Sequence, residues 1–193
     1  MGTDATSPPT ECCADIDHVL VTRNQIARRV VELAAEISAE YRGRELTVMI
    51  VLTGSLPFAA DLIRLLPLKI RIELVVVRSY PGSETQPRKP KFLLPPPKDL
   101  TGRDVLIVDD IFDSGQTMTI LVEAAYAAGA RGVKTCTLLY KDRGDLPNRN
   151  AVDYVGFNIP DEFVVGYGLD FNGFHRNLPD IGVLQAHARG GTS

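Results

Sequence analysis

Cysteine is scarce, an excess of charge of either sign is missing, and no long hydrophobic run exists. Each absence removes a class of protein. Three cysteines in 193 residues cannot all pair, and Cys12 and Cys13 are neighbours in a polar segment. A disulfide framework is therefore not expected, and the usage suits a reducing compartment. Lysine and arginine number 21 against 24 acidic residues, a net charge of −3. No general field for polyanions exists, nucleic acid is not an expected partner, and any phosphate chemistry has to come from a local site. The apolar run at Val48 to Leu52 falls far short of the ~20 residues a membrane span needs. Residues 1–11 carry neither a basic nor an apolar signal-peptide region, so the expected setting is the cytoplasm. What is present, 45% hydrophobic and 23% charged residues, suffices for one domain with a sizeable core.

Small polar residues and prolines open the chain, and residues 1–17 read as a flexible segment. Thr22 followed by Gln25 is a capping box, and Ile26, Val30, Leu33, Ile37 and Tyr41 form the apolar stripe of a helix ending at Gly43. Leu46–Leu52 reads as a strand covered on both faces. Thr53 to Ser55 is a tight turn, and Pro57 opens a helix carrying Phe58, Leu62 and Leu65. Further strands are expected at about 71–77, 105–108 and 133–139, with a helix over 118–128 stopped by Gly129 and short apolar pieces near Val155 and Val164. Strands alternating with helices predict an α/β fold with a mostly parallel, Rossmann-like sheet. Residues 79–99 interrupt the pattern. Six of the 13 prolines fall there, interleaved with Arg88, Lys89, Lys91 and Lys98, and so long a loop in a small domain reads as a mobile lid.

The chemistry concentrates in VLIVDDIFDSGQT, residues 105–117. An apolar strand ends in two adjacent carboxylates, Asp109 and Asp110, followed by a turn of small residues and a helix. Ligands of open α/β sheets bind outside the carboxyl ends of strands, where this segment belongs. The turn Asp113–Thr117 can direct backbone N–H groups into one concavity, with hydroxyls from Ser114 and Thr117 and close approach at Gly115. Carboxylates beside a phosphate cradle make sense if they accept hydrogen bonds from sugar hydroxyls and hold a Mg²⁺ shell. The constellation asks for a phosphorylated sugar. An acidic strand end of this kind is also found in receiver domains of response regulators, but there the acidic pair follows the first strand and more than a hundred residues come after it. Here 193 − 110 = 83 follow.

This segment resembles the phosphoribosyl-pyrophosphate (PRPP) signature of type I phosphoribosyltransferases. LLYK (138–141), the run from Val155 through Leu178, and VLTGSLPFAADL (51–62) resemble the hypoxanthine-guanine branch, and the likeness covers most of residues 18–184. It implies the type I phosphoribosyltransferase fold, a parallel sheet flanked by helices with a small hood and a long mobile loop, spanning 18–184 with a tail over 185–193. It also implies a purine-salvage enzyme that transfers phosphoribose from PRPP to hypoxanthine or guanine, xanthine included as a candidate, with Mg²⁺ as cofactor and a homodimer or homotetramer as the assembly.

Site roles follow from the same resemblance. Asp109 and Asp110 would bind the ribose hydroxyls and share in holding the metal, and Asp113, Ser114, Gly115, Gln116 and Thr117 the 5′-phosphate. Asp113 would also accept the proton of purine N7, a role suited to a carboxylate because bond formation at N9 releases a ring proton. Lys141 would donate to the 6-oxo group, Phe163 would stack on the purine, and the Val164 backbone would read its edge. Asp170 would hold Mg²⁺ on the pyrophosphate, Arg176 would contact the pyrophosphate oxygens, and Ser79 and Tyr80 would serve on the lid. His175 reads as a surface residue. Thr53 stands where the branch often carries Lys and Asn177 where many relatives have Asp. That leaves the backbone of Thr53 and Gly54, with a non-proline cis peptide seen in relatives, as pyrophosphate contacts. The competing reading is a PRPP-binding regulator without catalysis, and a third is a transferase acting on orotate, uracil or adenine.

Overall fold

The capping box at Thr22 forms as its residues predict. In the computed structural model, which describes residues 14–78, 91–141 and 152–189, the Gln25 side chain accepts from the Thr22 amide at 2.9 Å and the Thr22 side chain accepts from the Gln25 amide. A strand, β1 (Ile16–Val21), precedes this cap, and helix α1 (Arg23–Glu40) follows it. Of the expected stripe, Ile26, Val30, Leu33 and Ile37 are buried, and so is Tyr41 just past the helix end. The expectations for Cys12, Cys13, Ser79 and Tyr80 lie outside the described residues.

Strands β2 (Leu46–Leu52), β3 (Ile70–Arg78), β4 (Lys91–Leu94), β5 (Asp104–Phe112), β6 (Gly132–Lys141) and β7 (Tyr154–Ile159) form one sheet in the order β4-β3-β2-β5-β6-β7. All neighbours are parallel except β4, which runs antiparallel to β3. Alternation along the strands explains the two cores. Val48, Ile50, Leu106 and Val108 pack with α1 and with α2 (Leu56–Ile63), whereas Met49, Val51, Val105 and Ile107 pack with α3 (Gln116–Ala127). A central strand buried on both faces gains about 1.5–3 kcal/mol for each such side chain, which is why β2 is an unbroken apolar run. A second sheet, in the order β1-β9-β8, joins β8 (Val164–Val165) and β9 (Ile181–Leu184) to β1. This small antiparallel sheet, built from both ends of the described chain, is the expected hood. A one-turn helix, α4 (Ala186–Arg189), follows it.

Several boundaries differ from expectation, each for a local reason. Helix α2 stops at Ile63, leaving Leu65 44% exposed beyond it, because Pro67 disfavours helical geometry in the residue before it. Strand β5 continues four residues past Val108, so Asp109 and Asp110 lie inside the strand rather than at its end. Strand β6 runs alongside and supplies partners, pairing Asp109 with Thr137, Ile111 with Leu139 and Phe112 with Tyr140. Within the proposed lid, residues 91–94 are strand β4, bonded to β3.

At the amino-terminal end of the sheet, the buried Asp104 carboxylate accepts from Arg131 Nε at 3.0 Å and Arg44 Nη1 at 2.9 Å. The Arg131 hydrogen bonds, foremost among the causes, hold its carboxyl below the usual range. A group depressed in the folded state stabilises at pH values above its unfolded pKa of about 3.9 and loses that contribution as pH falls through the folded pKa. Asp104→Asn should lower Tm at neutral pH by about 3–6 °C and flatten the loss of stability below about pH 4. Thermal unfolding of both proteins across pH 3–7 checks this. Equal acid slopes in the two would contradict it.

Candidate functional site

The sheet order reverses between β2 and β5: from β2 the chain goes to β3 on one side, then returns to place β5 on the other. The crevice at such a switch point, outside the carboxyl ends of the strands, is where open α/β sheets bind ligands. The register shows how the crevice opens. Strand β2 pairs with β5 only as far as Ile50 opposite Val108, so the β2-facing edge of β5 is unpaired from Asp109 onward. A cavity of about 300 Å³ lies there, lined by the Asp109–Gly115 segment, Thr117, Gly54, Asp170 and Arg176, with Leu52, Val77, Phe112 and Met118 as apolar walls.

Asp109 is buried and Asp110 half-buried. The Asp110 amide donates to Asp109 Oδ1 at 3.0 Å, and the Ile111 amide to Asp110 Oδ1 at 2.9 Å. Burial, with the adjacent Asp110 charge second, pushes the Asp109 carboxyl well above the usual carboxylate range. Burial also raises Asp110, opposed by its hydrogen bonds and by the Arg176 charge. Two carboxyls so disfavoured as anions are ready to receive hydroxyl donors or a cation.

Downstream of β5, Asp113, Ser114, Gly115 and Thr117 reach the cavity wall, while Gln116 does not line it. Gly115 caps α3 in the left-handed region (φ 75°), with no side chain occupying the cap. A Cβ there would lie 2.8 Å from the Phe112 ring. The N-terminus of a twelve-residue helix, capped by a residue that has no side chain, thus opens on the cavity, a geometry suited to an anion.

On the opposite wall, the turn after β2 follows a cis peptide between Leu52 and Thr53. Gly54 lies hard against the acidic pair: a Cβ on it would fall 1.7 Å from Asp110 Oδ2 and 3.5 Å from Arg176 Nη1. Arg176 donates through Nη1 to the Gly168 carbonyl at 2.6 Å and pairs through Nη2 with Asp170 Oδ1 at 2.8 Å. Asp170 Oδ2 accepts from the Gly173 amide at 2.8 Å.

Lys141, Phe163 and Val164 stand outside this cavity's lining. Lys141 ends β6 with its side chain 11% exposed and Nζ 3.3 Å from Asp161 Oδ1. Phe163 is 38% exposed and packs edge-on against Phe171, centroids 5.4 Å apart. Val164 is buried in β8, and the Phe163 carbonyl accepts from the Leu184 amide. A partly exposed aromatic ring can stack on a flat ring, and a mostly enclosed ammonium can donate to a carbonyl. His175 is not the surface residue expected. Its side chain is 11% exposed, with Nε2 3.6 Å from Asp15 Oδ2.

Sequence reasoning missed the apolar walls and Tyr167, whose hydroxyl donates to Asp61 Oδ2 at 2.7 Å. A tyrosine between two glycines was the available signal, since its backbone takes a left-handed φ of 48°.

Residues 20–172 match the model of the phosphoribosyl transferase domain. The hypoxanthine-guanine phosphoribosyltransferase of Bacillus subtilis is 42% identical over 171 residues, covering 89% of this chain and 94% of the relative. Among solved structures, a hypoxanthine-guanine phosphoribosyltransferase from Bacillus anthracis, crystallised with HEPES in its active site, superposes with a TM-score of 0.81 at 38% identity, covering 88% of this chain and 99% of that one. A hypoxanthine phosphoribosyltransferase from Staphylococcus aureus gives 0.84 at 33% identity, covering 94% and 98%.

Proposed function

Because the chain belongs to the hypoxanthine-guanine branch of the phosphoribosyltransferase family, we propose that it joins hypoxanthine or guanine to the ribose of PRPP, giving the nucleoside 5′-monophosphate and pyrophosphate. One observation carries this reading. The acidic pair of β5, the Asp113–Thr117 turn, Gly54 and Arg176 converge on a single cavity at the switch point of the sheet.

In the reaction purine N9 forms a bond to ribose C1′ as the bond from C1′ to the pyrophosphate oxygen breaks. The electron pair of the broken bond leaves with pyrophosphate, and the N7 proton passes to Asp113. The 113–117 turn holds the 5′-phosphate, with Gln116 acting through its backbone at the start of α3. Asp109 and Asp110 accept from the ribose hydroxyls and favour positive character on the ring. Arg176 and the Thr53–Gly54 backbone face the leaving pyrophosphate. Lys141 donates to the 6-oxo group, Phe163 stacks on the base, and Val164 offers its backbone to the ring edge. Ser79 and Tyr80 are assigned the role of keeping water from C1′.

The donor set suits Mg²⁺. Asp109, Asp110 and Asp170 put hard carboxylate oxygens on one cavity, while no group of three His, Cys, Asp or Glu among the described residues could hold an ion by itself. That is the pattern of a cation held by one or two carboxylates together with substrate oxygens. When bound, Mg²⁺ neutralises charge developing on pyrophosphate.

We take 18–184 as the catalytic domain, acting in the cytoplasm as a homodimer or homotetramer. In support of association, Ile72 and Leu74 on β3 and Leu93 and Leu94 on β4 are 44–54% exposed.

The test offers PRPP and Mg²⁺ with hypoxanthine, guanine, xanthine or adenine, separately and in competition, and identifies the nucleotide formed. The 6-oxopurines should be consumed and adenine left. Preferential use of adenine would sink the assignment. Lys141→Ala should lower kcat/KM for hypoxanthine by about 10²-fold, the worth of a charge-assisted hydrogen bond in a sheltered site. The KM for PRPP should stay within about twofold of the parent if Lys141 serves the base alone. Steady-state kinetics with each substrate varied in turn would reveal a shared loss.

A further inference from the structure

The segment 166–178 carries Asp170 and Arg176, yet much of it is turn rather than regular structure. Its shape is held by short backbone bonds: Gly166 and Leu169 exchange N–H groups and carbonyls, Tyr167 N–H donates to Leu178 O at 2.7 Å, and Gly168 N–H to Arg176 O at 3.0 Å. These bonds fix the segment internally. They do not fix where it sits relative to the turn after β2, and that relation sets the distance between Gly54 and Arg176.

Tyr167 is placed to do this. Its φ of 48° lies between Gly166 at 99° and Gly168 at 102°, so three successive residues take backbone conformations that glycine adopts most readily. A tyrosine there carries a backbone cost that glycine would avoid, so its side chain has a use that offsets it. The ring packs against the core on the α1–α2 side. The hydroxyl donates to Asp61 Oδ2 at 2.7 Å, and the contact raises the phenol's pKa, with burial the larger cause. Asp61 stands on α2, the helix that the Gly54 turn leads into. Beside Tyr167 the two walls touch: a Cβ on Gly168 would lie 1.9 Å from the Gly54 carbonyl oxygen and 2.9 Å from Pro57 Cδ. The Gly168 carbonyl in turn receives Arg176.

We infer that the Tyr167–Asp61 hydrogen bond is a strut that positions Arg176 and Asp170 against the Gly54 turn, and so sets affinity on the pyrophosphate side of the cavity without touching substrate. Both are positioning residues. The inference deepens the transferase reading and rests on it.

Tyr167→Phe keeps the ring, its packing and its backbone cost, and removes only the hydroxyl. Asp61→Ala removes the acceptor, whereas Asp61→Asn keeps an oxygen that can accept. The experiment measures binding of PRPP and of pyrophosphate, each with Mg²⁺, by calorimetry, then the KM for PRPP, the KM for hypoxanthine and kcat. Tyr167→Phe and Asp61→Ala should each weaken PRPP and pyrophosphate about fivefold, the loss expected for one hydrogen bond. The double variant should be no worse than either single one. Asp61→Asn should restore most of the affinity, and kcat and the KM for hypoxanthine should hold. If Tyr167→Phe lowers Tm but binds pyrophosphate like the parent, the bond is merely structural and the strut is refuted. If Asp61→Asn is as weak as Asp61→Ala, charge rather than the bond matters, which also refutes it. A parent protein that binds neither PRPP nor pyrophosphate would instead overturn the transferase reading beneath it.

Discussion

Asp113→Asn keeps PRPP bound and loses turnover, by about 10²–10⁴-fold in kcat, the range for removal of a positioned general base. The substitution is nearly isosteric, so the turn that presents Ser114, Gly115 and Thr117 to the cavity retains its shape. The amide cannot accept the N7 proton as a carboxylate does. Equilibrium binding of PRPP with Mg²⁺ should remain within about threefold of the parent if the residue's contribution is made in the transition state. Joint loss of binding and turnover would make Asp113 a binding residue and remove the proton-transfer role.

Gly54→Ala should be nearly as damaging, for a reason visible only in three dimensions. A Cβ at this position falls 1.7 Å from Asp110 Oδ2 and 2.7 Å from its Cγ. The obstacle is therefore a short side chain, and either the carboxylate or the turn has to move. Overpacking of this kind costs about 1–3 kcal/mol, and because it displaces groups that face PRPP, kcat/KM for PRPP should fall about 10–100-fold. Gly43→Ala is the control. Its φ of 74° makes alanine unfavourable, but nothing lies within 4 Å of a Cβ there, and it is at the far end of the sheet. It should cost about 1 kcal/mol of stability and leave the kinetics alone. Equal kinetic losses in the two variants would contradict the close fit of Gly54 to Asp110.

What could be read from the sequence was what is local. Thr22 and Gln25 are three residues apart, the buried run of β2 is continuous, and DSGQT joins strand to helix within five residues, so each shows its structure in its spacing. The pairing of β1 with β9 joins Ile16 to Leu184, a contact no short window contains. Strand β1 itself is mostly exposed or half-exposed (IDHVLV) and shows no clean alternation. Strand β4 hides in a proline-rich stretch because it is an edge, where one row of backbone groups needs no partner and Pro95–Pro97 can follow directly. The closeness of Gly54, Gly168 and Asp110 is likewise a product of the fold. A glycine announces that the backbone can go somewhere unusual, and only the structure shows what it meets there.

On the proposed reading this cavity exchanges the pyrophosphate of PRPP for a 6-oxopurine. Phosphorus NMR of PRPP and Mg²⁺ with the unaltered protein, before and after hypoxanthine is added, tests this exchange most directly. The diphosphate resonances of PRPP should hold steady without base. On addition of hypoxanthine they should give way to free pyrophosphate and one new 5′-monophosphate signal in equal amounts. Unchanged PRPP resonances with hypoxanthine, guanine and xanthine alike, from a protein that still binds PRPP, would mean that the site recognises the phosphorylated sugar without transferring it.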